Sequence, residues 1–189
     1  MGFTRQELET FRDATVQDLV VPPVKLLFVG INPGLWTAAV QTHFAYPGNR
    51  FYPALLLGGV IDWPIDSGAG MTEGDRERFT ARGLGISNIV ERATAKASEL
   101  GREELRTGAA RLATNIVRWK PTVVAIAGIT AYRTGFRQPK AVMGLQSGRI
   151  GDAELWVVPN PSGLNAHESV TTLAEWYRRT AIAAGVIDE

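Results

Sequence analysis

The chain has 189 residues, 45% of them apolar and 21% charged, and a net charge of +1; this fits one globular domain with apolar chain enough for a core, and it excludes an overall polycation. There is no cysteine and there are only two histidines, which excludes disulfides, thiol nucleophiles, iron–sulfur clusters and cysteine-ligated zinc and leaves no histidine-rich metal site. No window approaches the apolar length of a membrane span, and the first residues lack the apolar stretch of a secretory signal, so no membrane association is expected and a reducing cytoplasm is the expected location.

Thr4 with Glu7 three residues on has the capping-box pattern and predicts an amphipathic helix from Thr4 to Gln17, stopped by Val20-Val21-Pro22-Pro23. Residues 24–29 are short, continuous and apolar, a buried strand. Residues 30–48 read as one long loop rich in Gly, Pro, Thr and aromatics, a length that in a compact domain usually marks function. Asn49 caps a buried helix over residues 49–57, residues 62–71 read as surface loop, and Thr72 to Arg82 as a polar, peripheral helix. Gly85 to Val90 is a second strand. Arg102 to Trp119 has helical periodicity through Leu105, Ala109, Leu112, Ile116 and Trp119, and Pro121 ends it. Val123 to Ala127 is a third strand and runs through Gly128 into a short helix; Leu155 to Val158 is a fourth strand; Ser169 to Ala184 is a closing helix with Val170, Leu173, Ala174, Tyr177 and Ala181 on one face. Short apolar strands alternating with helices predict an α/β fold, a three-layer α/β/α sandwich around a short parallel sheet. A single domain over 1–189 is expected, with 1–22 as a helical extension outside a core of 24–185. No helix carries a spare apolar stripe, so a monomer is expected.

Two loops carry the candidate chemistry. Gly30-Ile31-Asn32-Pro33-Gly34 follows the first strand and places a polar side chain at its carboxyl end, where open α/β sheets bind ligands. It is neither a dinucleotide fingerprint nor a phosphate loop. An amide such as Asn32 is no strong base, but it can hold a water through its carbonyl oxygen or donate through its nitrogen; the alternative is an Asn in a structural turn. In Thr42-His43-Phe44-Ala45-Tyr46-Pro47-Gly48-Asn49-Arg50-Phe51, Phe44 is placed to stack on a planar ligand. Phe51 and Tyr52 are expected to anchor the loop to the core, and His43 to be a solvated loop residue. The second loop, Asn160-Pro161-Ser162-Gly163-Leu164-Asn165-Ala166-His167, combines small and polar residues with an apolar tip suited to insertion into a base stack, unless Leu164 tucks inward. Arg50, Lys140 and Arg149 are the cations nearest these loops in sequence, as phosphate contacts.

Together these segments resemble the mismatch-specific uracil-DNA glycosylase and thymine-DNA glycosylase family. The matching pieces are Gly30-Ile31-Asn32-Pro33-Gly34-Leu35, Phe44 to Phe51, Asn88-Ile89-Val90-Glu91-Arg92-Ala93-Thr94 and Pro159-Asn160-Pro161-Ser162-Gly163-Leu164, in the same order and over most of residues 24–180. The last piece is most similar to the bacterial mismatch-specific branch. The resemblance implies a uracil-DNA glycosylase-like fold and a base-flipping enzyme that hydrolyses the N-glycosidic bond of uracil in mismatched duplex DNA. It would need no cofactor or metal, act at the nucleoid, accept ethenocytosine as well and thymine weakly, and leave an abasic site. The resemblance gives Asn32 the attacking water; Phe44 the stacking contact; Asn160 a place near the base or its sugar-phosphate; backbone groups around Gly30, Ile31 and Tyr46 the uracil oxygens; and Gly163, Leu164 and Asn165 the wedge and the contact to the opposite strand. Thr37, Glu91 and Ala93 stand at positions that flank the site, with Glu91 the carboxylate to test as an auxiliary base or as a surface ion pair. Two other readings remain. A non-catalytic binder of mismatched or damaged DNA would keep pocket and wedge without chemistry. An α/β enzyme acting on free nucleosides or nucleotides would have no use for the apolar tip at Leu164.

Overall fold

Leu26, Leu27, Phe28 and Val29 are all buried, so the first strand has no solvent face and must lie inside a sheet covered on both sides. The computed structural model describes residues 2–163, 165 and 167–188. In it β1 (Leu26–Gly30) lies between β2 (Leu84–Asn88) and β3 (Val123–Ala127), and β5 (Ala153–Val158) follows β3; all four run parallel. β4 (Gly144–Ile150) pairs antiparallel with β5, giving the order β2-β1-β3-β5-β4. The fold is the α/β/α arrangement expected, with one antiparallel edge strand added.

Alternate residues of β1 supply the two cores. Leu26 and Phe28 face α3 (Phe51–Leu57), α4 (Glu73–Ala81) and α7 (Val170–Ala183), where Phe28 meets Phe51 and Tyr177 edge-on at 5.1 and 5.3 Å. Leu27 and Val29 face α5 (Arg102–Trp119) and α6 (Ile129–Gly135) through Ala109, Leu112, Ile116 and Tyr132. Helix α5 begins with Glu103 and Glu104 in its first turn and closes on Lys120 in the left-handed region before Pro121, a charge and cap pattern that suits the helix dipole.

The N-terminal segment differs from the expected 4–17 helix. Thr4 and Glu7 form the capping box, but α1 spans only Arg5–Glu9. Asp13 turns left-handed, and the chain then runs along the outer edge of β2, where Leu19 and Ile86 exchange backbone hydrogen bonds of 2.9 and 2.8 Å. Leu8, Phe11, Ala14 and Val16 pack on Leu35, Ala38 and Ala93. Tertiary burial and edge pairing therefore outweigh helical periodicity here.

Three further differences have local causes. The 30–48 loop contains α2 (Leu35–Val40), whose Leu35, Thr37 and Ala38 are buried. The 62–71 segment is tied down by buried Trp63, Ile65 and Met71. Strand β4 has no alternating apolar signal because most of it faces solvent; the Gly151-Asp152 turn and the cross-strand Arg149–Glu154 pair at 3.5 Å set its register. The N-cap of α3 is Arg50 rather than the expected Asn49, which stands one residue earlier and accepts from Phe51 N through its Oδ1 at 2.9 Å.

Helix α5 also supports the segment that leaves β2. A Cβ on Gly108 would lie 2.3 Å from Ile89 O. Alanine has the better helix propensity by about 1 kcal/mol, yet this clash is with backbone. Gly108→Ala is therefore expected to lower stability by about 1–3 kcal/mol, read as an earlier urea midpoint at unchanged slope.

Candidate active site

Because β1, β2, β3 and β5 are parallel, their carboxyl ends share one edge of the sheet. The chain goes one way from β1 to β2 and the other way to β3, so the place between β1 and β3 at that edge is the switch point of the sheet, where open α/β sheets form their ligand crevice. Three asparagines stand there: Asn32 just past β1, Asn88 ending β2, and Asn160 just past β5. Gly128, just past β3 at φ 135°, lets the Ile31 side chain come close, since a Cβ there would lie 3.1 Å from Ile31 Cδ1.

Beyond the sheet, residues 30–34 and 88–94 continue side by side: Ile89 N donates to Gly30 O, Val90 N to Ile31 O and Thr94 N to Pro33 O, at 2.9, 2.9 and 3.1 Å. This places Asn32 against the second segment. Its Nδ2 donates to Pro33 O (3.1 Å), Arg92 O (3.0 Å) and Thr94 Oγ1 (2.8 Å). Carbonyl oxygens only accept, so the amide orientation is dictated. Thr94 is buried and spends its own proton on Lys96 O at 2.9 Å, which leaves its oxygen free to accept from Asn32. The result is that Asn32 Oδ1 accepts from no donor among the described residues. It is a fixed acceptor, the group needed to orient a water. Arg92 is held in turn: Nε and Nη2 donate to Glu104 at 2.5 and 3.1 Å and Nη1 to Asp13 at 2.9 Å.

Phe44 adopts a left-handed conformation, φ 58°, unusual for an aromatic residue. The turn is secured by Tyr52, whose buried hydroxyl donates to His43 O, and by Phe51, on which the Phe44 ring stacks at 4.0 Å. Phe44 thus lies half-buried over Gly30: a Cβ on Gly30 would meet Asn88 Oδ1 at 2.5 Å and Phe44 Cζ at 3.2 Å. Only glycine fits, and the aromatic ring and the Asn88 oxygen converge on the end of β1. Asn88 went without a role in the sequence reading; a polar residue ending an apolar strand, repeated at three strand ends, was the available signal.

His43 is not solvated. It is buried, with Nε2 2.9 Å from Gln17 O and Nδ1 2.9 Å from Asn88 Nδ2, and burial pushes its pKa down to about 4. Asn160 Oδ1 accepts from Ser162 N at 2.9 Å in a local turn, and its Nδ2 would lie 3.9 Å from a Cβ on Gly128, at the crevice. Tyr46 is exposed, edge-on to Trp36 at 5.8 Å, and its backbone N–H has no acceptor among the described residues.

The two loops meet. Arg50 N donates to Pro161 O at 3.1 Å, a Cβ on Gly163 would lie 2.7 Å from Gly48 O, and the Arg50 guanidinium donates to Asn165 O, Glu168 O and Gly163 O at 2.9, 2.8 and 3.3 Å. Arg50 thus holds the second loop rather than standing ready for a phosphate. Asn165 Nδ2 reaches back to Asn160 O at 3.1 Å. Leu164, the expected wedge, lies outside the described residues. Arg149 sits opposite Glu154, near the start of β5, at the far edge of the sheet from the crevice.

The flanking residues take structural places. Thr37 is buried and donates to Ala45 O at 3.1 Å. Glu91 is exposed and paired with Arg111 at 2.9 Å, the surface ion pair rather than a group held over the crevice. Ala93 is fully buried and exchanges backbone bonds with the N-terminal segment, its N donating to Ala14 O and its O accepting from Asp13 N, at 2.8 and 3.0 Å. Among the described residues no group of three potential metal ligands occurs, and no helix is long and apolar enough to cross a membrane.

Comparison with known proteins agrees with this geometry. The model of the Uracil DNA glycosylase superfamily matches residues 18–184, and the chain belongs to that superfamily. The solution NMR structure of a putative uracil DNA glycosylase from Methanosarcina acetivorans is similar in fold, with a TM-score of 0.60 and 18% identity over 91% of this chain and 96% of that one. Membership supports a uracil-directed DNA glycosylase, a hydrolase acting on DNA.

The depressed pKa of His43 has a consequence for stability. Unfolded, the imidazole binds a proton below its ordinary value of 6.5; folded, it does not until about pH 4. The unfolded state therefore binds more protons across this window, and stability falls as pH falls from 6.5 to 4, by roughly 3 kcal/mol. His43→Asn is expected to lack this component, so the difference between the urea midpoints of the two proteins should narrow between pH 7 and pH 4.

Proposed function

We propose that the protein is a monofunctional, mismatch-directed uracil-DNA glycosylase that flips uracil, also ethenocytosine and weakly thymine, out of duplex DNA and hydrolyses the N-glycosidic bond. The observation that carries this reading is the locked amide of Asn32, which keeps Oδ1 as an acceptor at the mouth of a crevice floored by Gly30 and Phe44.

The parts divide the work as follows. A flipped base lies on the Phe44 ring, which Phe51 supports from behind. Asn88 Oδ1 accepts from an N–H on the base edge; the Tyr46 backbone N–H and Asn160 Nδ2 donate to base oxygens. Bond cleavage leaves positive charge on the sugar and negative charge on the departing base. Fixed donors at the base oxygens stabilise that anion as an oxyanion hole does. The water is oriented by Asn32 Oδ1 and attacks the sugar carbon as the base leaves. It transfers its proton to solvent or to the leaving base, since an amide takes none. With no carboxylate or imidazole directed at the water among the described residues, a slow enzyme is expected. Uracil paired with guanine costs less to flip than a properly paired base, which supports a mismatch substrate.

The test is single-turnover cleavage of labelled duplexes carrying U·G, U·A, T·G and ethenocytosine, with alkali to reveal abasic sites. Release is expected fastest from U·G, and Asn32→Ala should slow it by about 100-fold with little change in duplex affinity. Tight U·G binding without release would instead establish the non-catalytic binder. Thr94→Val removes the oxygen that accepts from Asn32 Nδ2; we expect a rate about fivefold lower at unchanged affinity, restored in Thr94→Ser.

A further inference from the structure

Gln17 O can only accept, so the 2.9 Å contact to His43 requires a proton on Nε2. A neutral ring then carries a lone pair on Nδ1. Among the described residues the hydrogen-bond partner of Nδ1 is the Asn88 amide, at 2.9 Å, and it must present its nitrogen. The Asn88 oxygen is left on the opposite side, over Gly30 and beside Phe44, where it accepts from no donor among the described residues. Were the proton on Nδ1 instead, the amide would have to turn over and offer NH2 to the crevice. Thus a ring that is 3% exposed, on the far side of Asn88 from the crevice, decides whether the crevice wall is an acceptor or a donor.

We propose that His43 is a positioning residue for base selectivity: its Nδ1, accepting from Asn88 Nδ2, holds Asn88 Oδ1 as an acceptor and so favours bases that present an N–H donor on the facing edge. This rests on the glycosylase reading above. The uracil imide carries such a donor. Ethenocytosine, whose ring N3 and exocyclic N4 are bridged, carries none, and gains nothing from the Asn88 oxygen. The arm residue Gln17 joins the selectivity apparatus through its carbonyl alone, and Arg76, the charged group that most affects His43, further favours the neutral ring.

The chain has two histidines, so nitrogen-15 spectra of the imidazoles at pH 7 resolve the tautomer without any variant. His43 is expected as the Nε2–H form; an Nδ1–H form overturns the proposal. The kinetic test compares single-turnover release of uracil and ethenocytosine in wild type, His43→Leu, His43→Asn, Asn88→Ala and the His43→Leu/Asn88→Ala pair. His43→Leu should lower the uracil-to-ethenocytosine rate ratio by about tenfold. His43→Asn, whose oxygen takes the place of Nδ1, should keep the ratio within about threefold of wild type. In the Asn88→Ala background, His43→Leu should add no further loss of selectivity. An equal loss on both bases, or the same loss with and without Asn88, would show that His43 serves the fold alone and overturn the proposal. A wild type that releases neither base would instead sink the glycosylase reading; a wild type that releases uracil while His43→Leu leaves the ratio unmoved would sink only this inference. The spectra decide the tautomer even if His43→Leu does not fold.

Discussion

Asn32 Nδ2 lies within hydrogen-bonding distance of two backbone carbonyls and of a threonine oxygen whose own proton is already committed. The rest of the crevice is arranged around keeping those acceptors in place. The carbonyl of Arg92 is there because its side chain is tied both to Glu104 on α5 and to Asp13 in the N-terminal arm. Thr94 is there because residues 88–94 continue the pairing of β2 with β1 beyond the sheet. A side-chain amide is a weak tool, and its usefulness depends on the oxygen pointing one way. Here the orientation is set by what surrounds the nitrogen, so the proposed role of Asn32 needs no reorganisation when substrate binds.

The same logic operates twice. At Asn32 and at Asn88 the protein satisfies the amide nitrogen internally, and neither oxygen accepts from a donor among the described residues; at Asn160 it is the oxygen that is satisfied, by Ser162 N. Neutral groups with fixed polarity thus stand where charges are often found. On the proposed reading, that suits a pocket that holds a leaving base with growing negative charge and also admits bases of different shape. Phe44 and Gly30 supply the apolar floor, and the left-handed turn at Phe44 is held by residues that belong to the core.

Much of the scaffold was legible from the sequence because it is written in local burial. β1, β3 and α5 have continuous or helically spaced apolar residues, and the structure places them within a few residues of the expected bounds. The edge strand β4 has no such pattern, since a strand facing solvent buries too little to leave one. α2 is short, and its buried residues are two small ones and a leucine in a stretch dominated by turn formers. At the site, the loops around Asn32 and Asn160 stood out by their residue types. His43 did not, because a histidine in a polar loop gives no sign that the arm 26 residues upstream will cover it. Thr94 and Asn88 are ordinary in sequence; their meaning comes from what lies across from them.

The N-terminal arm is joined to the domain at every level: it covers the free edge of β2 through Leu19, braces Arg92 through Asp13, and seals His43 through Gln17. A protein cut back to the start of β1 would therefore have two faults at once. Ile86 would present unpaired backbone groups on an open sheet edge, a template for strand addition by another chain. His43 would lose the carbonyl that specifies its tautomer, and with the burial that holds its pKa down relieved it would titrate nearer to neutrality. Self-association and a changed pocket polarity would then appear together, from the loss of a segment that contributes no side chain to the crevice.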